Sequence, residues 1–512
     1  VNAALLHHHF EVAVRRLPDK TALVDGDERV TFGELHQRVH TLAAALRADG
    51  VRPGDRVLVF LESSVEFAVS VHAVLALGGV FVPIGASTKT EKLAFIAADT
   101  RATALLTHAV LSEAWVPLLN RAPSLLVCRV AGRAEETVSH ARVRAWADGF
   151  ADDALPLETP RIDQDIAALI YTSGTTGVPK GVMLTHLNMR SAWASVQAYL
   201  GLVQDDIIGL ALPTAFSYGL YNLLMGLGTG ATVVLMRSAA FPVKLVQALE
   251  RERVTVFPAV PTLIASVLQL QDLARFDLGA LRVVTNAAAA LPEPHLAKLR
   301  SALPLTRIFC MYGMTECMRI SFLPPDELDR RPGSVGRGMP NQEHWLIDED
   351  GRRVPNGGTG ELVVRGTHVS AGYWERPSET EVRVRPGEFA GQRVLHTGDV
   401  FRTDREGYLY FVARKDDIIK TRGEKVAPIE VENVIYQLDG IAGCAVVGVA
   451  DEALGYAIKA YVTLRPGSAL VARDVIKHCL CFLENYMAPK FVEFVDELPR
   501  TESGKIRHQS LR

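Results

Sequence analysis

The chain has 512 residues, too many for one ordinary hydrophobic core, so about three structural units of roughly 100–200 residues are expected. Apolar residues make up 48% and charged residues 22%, and 40 Gly and 26 Pro are spread without a period, a soluble globular profile that excludes collagen-like and low-complexity chains. A net charge of −3 and a pI of about 6.6 give no sign of a nucleic-acid or polybasic membrane surface.

The N-terminal segment carries His7, His8 and His9 instead of a basic stretch and a long apolar run, so no secretory signal is read there and a cytoplasmic location is expected. The histidines themselves read as solvated. Arg56 to Leu61 (RVLVFL) reads as a buried strand, and Ser64 to Leu77 as a helix capped by Ser63 or Ser64. Gly78-Gly79 ends it, and Val80 to Pro83 begins the next strand. Similar runs recur at Ala102 to Leu106, Ala231 to Leu235, Val254 to Phe257 and Leu281 to Thr285. This alternation predicts an α/β fold with parallel-type sheets covered by helices. Ile207 to Met236 carries no charge and is long enough to span a bilayer. Pro213, Gly219, Gly226, Gly228 and Gly230 interrupt it, so strand, loop, helix, strand is predicted, with no membrane span.

The texture changes near Pro332. Glu343 to Ile347, Gly360 to Arg365 and Tyr408 to Val412 read as short strands between Gly and Asp turns, a β-rich unit over about 332–414. A compact α+β module follows: a strand, a helix over Pro428 to Leu438, strands at Gly443 to Val449 and Ala457 to Leu464, a helix, and Lys490 to Val495. The division is therefore a large domain over 1–414 and a small one over 415–512. Cys128, Cys310, Cys317, Cys444, Cys479 and Cys481 show no C-x-x-C pairing and read as reduced, structural residues. Cys317 stands apart only because it adjoins a motif.

The strongest motif is Tyr171 to Gly181, YTSGTTGVPKG. A strand over Ala167 to Tyr171 leads into Thr172, Ser173, Gly174, Thr175, Thr176 and Gly177. Glycines let backbone N–H groups and hydroxyls close around phosphate oxygens, and Lys180 adds a positive charge. The G-x-x-x-x-G-K-[ST] pattern is absent, so this is a different phosphate loop. Downstream stand Tyr312 to Glu316 (YGMTE), His396 to Asp399 (HTGD), Arg414 in ARKDDIIKTRGEK, and Pro499 to Ile506 (PRTESGKI).

In this order the motifs resemble those of the adenylate-forming enzymes, which include acyl- and aryl-CoA ligases, peptide-synthetase adenylation domains and beetle luciferases. The resemblance spans nearly the whole chain. It implies ATP and Mg²⁺, with Tyr312 over the nucleotide, Thr315 near the α-phosphate and Glu316 holding the metal, a sensible oxygen ligand for a hard cation. It implies that Asp399 accepts from the ribose hydroxyls, as a carboxylate suits, and that Arg414 lies on the ribose side. Ala413 departs from the family's glycine. Asp416 falls at the family's hinge, about which a mobile C-terminal domain rotates between half-reactions, and Lys505 matches its catalytic lysine. The acid becomes an acyl adenylate and passes to CoA or to a carrier-protein phosphopantetheine, so a small carboxylic acid and a carrier protein are the expected partners.

The acid pocket is expected from Phe216, Ser217 and Tyr218, from Ala287, Ala288 and Ala289, and from Gly313, Met314 and Met318. Family members that take α-amino acids carry Asp where Ser217 stands, and a buried ammonium without that partner is costly. Several related sequences carry glycines in the Asn286 to Ala290 stretch, so the extra methyls at Ala288 and Ala289 are expected to shorten or flatten the pocket. A planar aryl acid fits, with Ser217 available to a 2-hydroxy or 2-amino group. A short- or medium-chain acyl-CoA ligase is the alternative. A non-catalytic ligand-binding protein is the rival of another class, although Lys505, Glu316 and Asp399 are all retained.

Overall fold

The computed structural model describes residues 4–132, 138, 140–151, 161–173, 178–236, 241–270, 273–287, 289, 291–415, 417–421, 424–451, 455–501 and 506–511. Strand and helix alternate as the apolar pattern predicts. Ser64 Oγ accepts from Phe67 N and caps the helix Val65–Leu77, which ends at Gly78 with φ 80°, a left-handed turn that glycine adopts without strain. That helix is apolar on every face and buried almost throughout, as a helix held between two layers must be.

Two large sheets build the first part of the chain. The seven-stranded sheet runs Val143–Ala145, Val127–Ala131, Ala104–His108, Arg56–Phe60, Val80–Ile84, Ile166–Ser173 and Pro179–Thr185. All its pairings are parallel except the last. The nine-stranded sheet is parallel from Thr21–Asp25 through Thr232–Leu235, Ile207–Leu210, Val256–Ala259 and Val283–Asn286 to Arg307–Tyr312, with antiparallel strands at both edges. One hydrophobic cluster joins them, with Val57, Ala168, Phe67, Leu220, Val283 and Phe309 among its members. The core therefore lies between the sheets, where helices bury their apolar faces. The uncharged stretch Ile207 to Met236 resolves into strand Ile207–Leu210, helix Ser217–Thr229 and strand Thr232–Leu235. Among the described residues no helix is long and apolar enough to cross a membrane.

The third sheet has six strands from Gln342–Ile347 to Leu409–Arg414, all antiparallel. The short strand Arg337–Gly338 still pairs in the nine-stranded sheet, so the β-rich sheet starts about ten residues later than the change of texture suggests. The last sheet spans Ile419–Thr421 to Phe491–Phe494 and carries helices Pro428–Ile435 and Ala472–Phe482. Its cluster, including Val431, Ile435, Val446, Ile458 and Val475, is drawn entirely from that segment.

Two readings change. His7 is 4% exposed, and its ring lies 6.3 Å from that of His186, while His9 packs edge-on to Trp193 at 3.6 Å. His7 is therefore buried and His8 and His9 part-buried, not solvated, because helix His8–Arg16 docks on helix Ser217–Thr229. Five cysteines are buried, but Cys481 is exposed.

Candidate active site

The phosphate-loop motif forms a hairpin. Strand Ile166–Ser173 pairs antiparallel with Pro179–Thr185, placing Thr172 opposite Lys180 and Ser173 opposite Pro179. Thr172 and Ser173 thus belong to the outgoing strand, not to its turn. Gly174, Thr175, Thr176 and Gly177 lie outside the described residues, as do Ala288, Asp416 and Lys505. Lys180 Nζ stands 5.9 Å from the Tyr373 ring and 4.0 Å from Glu379 Oε1. The base of the hairpin is anchored by Tyr171, whose hydroxyl donates to Asp99 Oδ2 at 2.5 Å.

Tyr312 ends the strand Arg307–Tyr312, and the chain then curls tightly. A Cβ on Gly313 would lie 2.3 Å from the Met318 carbonyl oxygen. Met318 N donates to the Met314 carbonyl at 2.7 Å, and Met318 itself turns with φ 66°. This curl sets Thr315 Oγ1 3.5 Å from Ser217 Oγ at the start of helix Ser217–Thr229. It also buries Glu316, whose Oε1 accepts from the Tyr373 hydroxyl at 2.7 Å. Cys317 is fully buried, and burial pushes its thiol well above the ordinary range, so it is a packing residue.

Asp399 comes from the β-rich sheet. Gly398 before it has φ 68°, and Thr397 Oγ1 accepts from Asp399 N at 3.1 Å. Asp399 is paired across the sheet with Arg414, whose Nε is 3.6 Å from its Oδ1. Tyr312 reaches its other oxygen. Burial and the Asp399 charge push the Tyr312 phenol well above its ordinary range, so it stays a proton donor. Arg414 also acts electrostatically on Glu316, which joins the two acids and the cation into one cluster.

The fold thus gathers Tyr312, Thr315, Glu316, Asp399 and Arg414, with Lys180 adjoining through Tyr373. Tyr373 was not legible as a site residue. Its segment bridges the hairpin, with Trp374 N donating to the Gly181 carbonyl and Met183 N to the Gly372 carbonyl, both at 2.8 Å. The available signal was Gly372, which has φ 112° beside an aromatic residue. Among the expected pocket residues, Phe216, Ser217 and Tyr218 are part-buried, Ala287 is buried, and Ala289 is exposed. The Tyr218 hydroxyl lies 2.6 Å from Thr285 Oγ1. Met318 joins the core between the large sheets, but Met314 packs on the core of the β-rich sheet.

Acidic, basic and hydroxyl groups are brought together where three sheets meet, beside the part-buried Phe216, Ser217 and Tyr218, a polar cluster of the kind an enzyme of charged substrates needs. Residues 10–374 match the AMP-binding enzyme family, and residues 430–505 match the AMP-binding enzyme C-terminal domain. The 3-[(3aS,4S,7aS)-7a-methyl-1,5-dioxo-octahydro-1H-inden-4-yl]propanoyl:CoA ligase of Rhodococcus jostii is 32% identical over 523 residues, covering 98% of this chain and 96% of that protein. The feruloyl-CoA synthase of an Amycolatopsis species is 34% identical over 501 residues, covering 97% and 96%. The solved structure of the anthranilate CoA ligase AuaEII with anthranoyl-AMP superposes with a TM-score of 0.90 at 28% identity, covering 100% of this chain and 97% of that one. The chain belongs to the AMP-binding enzyme family and is an AMP-forming acid–thiol ligase.

Proposed function

We propose that the chain joins an aryl carboxylic acid to AMP and then transfers the acyl group to the thiol of CoA. The observation that carries this reading is the 3.5 Å approach of Ser217 Oγ to Thr315 Oγ1, which brings the expected acid-pocket residues beside the cluster of Tyr312, Glu316, Asp399 and Arg414. A carboxylate is already ionised at neutral pH, so the first step needs no general base. One carboxylate oxygen attacks the α-phosphorus of ATP, and the bond to pyrophosphate breaks.

In this reading Thr315 donates to the α-phosphate, and the hairpin from Thr172 to Lys180 holds the β- and γ-phosphates. Ser173, at the end of the outgoing strand, and Gly174, Thr175, Thr176 and Gly177, which follow it in sequence, supply N–H groups and hydroxyls to them. Asp399 accepts from the ribose hydroxyls, steadied by Tyr312 and Arg414. Catalysis is then positioning and charge neutralisation. Glu316 suits Mg²⁺: Tyr373 occupies only Oε1, which leaves Oε2 for a hard cation. Bound there, the ion would neutralise phosphate charge.

We further propose that 1–414 and 415–512 act as two bodies hinged at Asp416, with Lys505 brought to the acyl-phosphate in the first half-reaction. The separate hydrophobic cluster of the last segment supports this division. CoA is favoured over a carrier protein because the relatives named above are CoA ligases or a CoA synthase. The aryl reading draws on the feruloyl and anthranilate relatives and on Ser217 beside Tyr218. The bicyclic propanoate of the Rhodococcus relative favours, as a second reading, an acyl acid with a short alkyl arm.

ATP–pyrophosphate exchange with benzoates, short and long fatty acids and amino acids tests the proposal, followed by detection of the CoA thioester. Exchange with 2-hydroxy- or 2-aminobenzoate and an aryl-CoA product are expected. Exchange confined to long-chain acids would overturn the aryl assignment.

A further inference from the structure

Three arginines are buried among the described residues: Arg129, Arg319 and Arg331. Two of them are paired. Arg129 Nε donates to Asp49 at 2.7 Å and its Nη1 to the Asp148 carbonyl at 2.7 Å. Arg331 meets Glu327, Asp404 and Glu406. Arg319, only 6% exposed, has no carboxylate partner among the described residues, and its Nε has no hydrogen-bond acceptor. A buried cation without a counter-charge is costly.

The surroundings of Arg319 are neutral. Its guanidinium carbon lies 5.2 Å from the centre of the Tyr218 ring, and it acts on the Tyr218 phenol through its charge and on the Tyr199 phenol as both a charge and a hydrogen-bond donor. Tyr199 donates to Met311 Sδ at 3.0 Å and stacks on Phe322 at 3.9 Å. The left-handed turn at Met318 and the close approach of Gly313 to the 318–319 backbone hold Arg319 in this place. Tyr218 directly follows Ser217, which approaches Thr315. The guanidinium is thus packed against Tyr218, one of the residues expected to line the acid pocket.

We propose that Arg319 reads a second, anionic carboxylate on the acid, so that the substrate is a dicarboxylic acid activated at one end. This rests on the acid-activating reading above and narrows its substrate class. The remote carboxylate supplies the counter-charge that Arg319 lacks among the described residues, and the first attacks ATP. An acid without the second group leaves a desolvated cation unpaired, which disfavours it more strongly than the loss of one contact alone.

The test is ATP–pyrophosphate exchange with matched acids: benzoate, benzene-1,3- and 1,4-dicarboxylate, 3-acetylbenzoate, hexanoate and adipate. The wild-type chain is expected to favour at least one diacid over its matched monoacid by about a hundredfold in kcat/KM. That ratio should collapse in Arg319→Met and be partly kept in Arg319→Lys, which retains the charge if the methionine variant does not fold. A wild-type ratio of one or less for every pair would overturn the proposal. So would an unchanged ratio in Arg319→Met, or equal use of 3-acetylbenzoate, whose ketone is neutral. Absence of exchange with every acid would instead strike at the acid-activating reading itself, so the two failures are distinct.

Discussion

The Tyr312 hydroxyl donates a 2.5 Å hydrogen bond to Asp399 Oδ2, tying the nine-stranded sheet to the β-rich sheet at the centre of the site. The ring is held edge-on by Phe401 at 4.7 Å. One end of the pair is thus fixed by packing and the other by a charge-assisted hydrogen bond, which is stronger than a neutral one. Tyr312→Phe keeps the packing and removes the bond. The KM for ATP should rise about tenfold, in line with roughly 1.5–3 kcal/mol for a hydrogen bond to a charged group, with little change in Tm. A fall in Tm with an unaltered KM would show the pair to be purely structural.

Lys505→Ala should lower acyl-adenylate formation by about 10²–10³-fold, the usual effect of losing one contact to developing transition-state charge. ATP binding should persist, because Asp399, Arg414 and the hairpin are untouched. Single-turnover adenylate formation and an ATP titration separate the two effects. Near-normal adenylation by this variant would refute the assignment of the lysine.

Gly313→Ala puts a Cβ 2.3 Å from the Met318 carbonyl oxygen and 2.8 Å from Arg319 Cα. Both are backbone atoms, so no side chain can swing aside. Overpacking of this kind costs about 1–3 kcal/mol and should displace Thr315 and Glu316, lowering both Tm and adenylation. Normal stability together with normal turnover would mean that the curl relaxes freely.

The histidines packed near the N-terminus set an acid limit. His72 is buried and lies 2.9 Å from the Ala68 carbonyl through Nδ1; burial lowers its pKa to about 4, and that of His186 to about 4. The folded state therefore resists protonation, while the unfolded chain takes up protons below about pH 6.5. Stability is full above that value and falls as pH drops from about 6.5 to 4, by about 1.4 kcal/mol per pH unit for each such histidine. Urea unfolding between pH 7 and 4 measures the slope, and His72→Leu should reduce it by about one proton. A flat profile in the wild-type chain would rule this out.

Much of the fold was legible because its signals are local. Apolar β-branched runs marked the strands near Arg56, Val80 and Leu281, and Ser64 with Gly78 marked both ends of a helix. The hairpin motif stood out in the sequence as a glycine- and hydroxyl-rich turn, but its register did not. That Thr172 and Ser173 sit on the strand depends on pairing with Lys180 and Pro179. The burial of His7 depended on a helix about two hundred residues away.

By itself the sequence determined the order of the motifs and their chemistry, because glycine, hydroxyl and charge at short spacing report what one stretch of backbone must do. Only the tertiary structure decided which groups meet. Asp399 joins Tyr312 from 87 residues away, Tyr373 reaches Glu316 across 57, and Arg319 has no carboxylate partner among the described residues. The physical reason is that partner and burial belong to three-dimensional packing, which fixes the energy of a charge and which linear spacing does not carry.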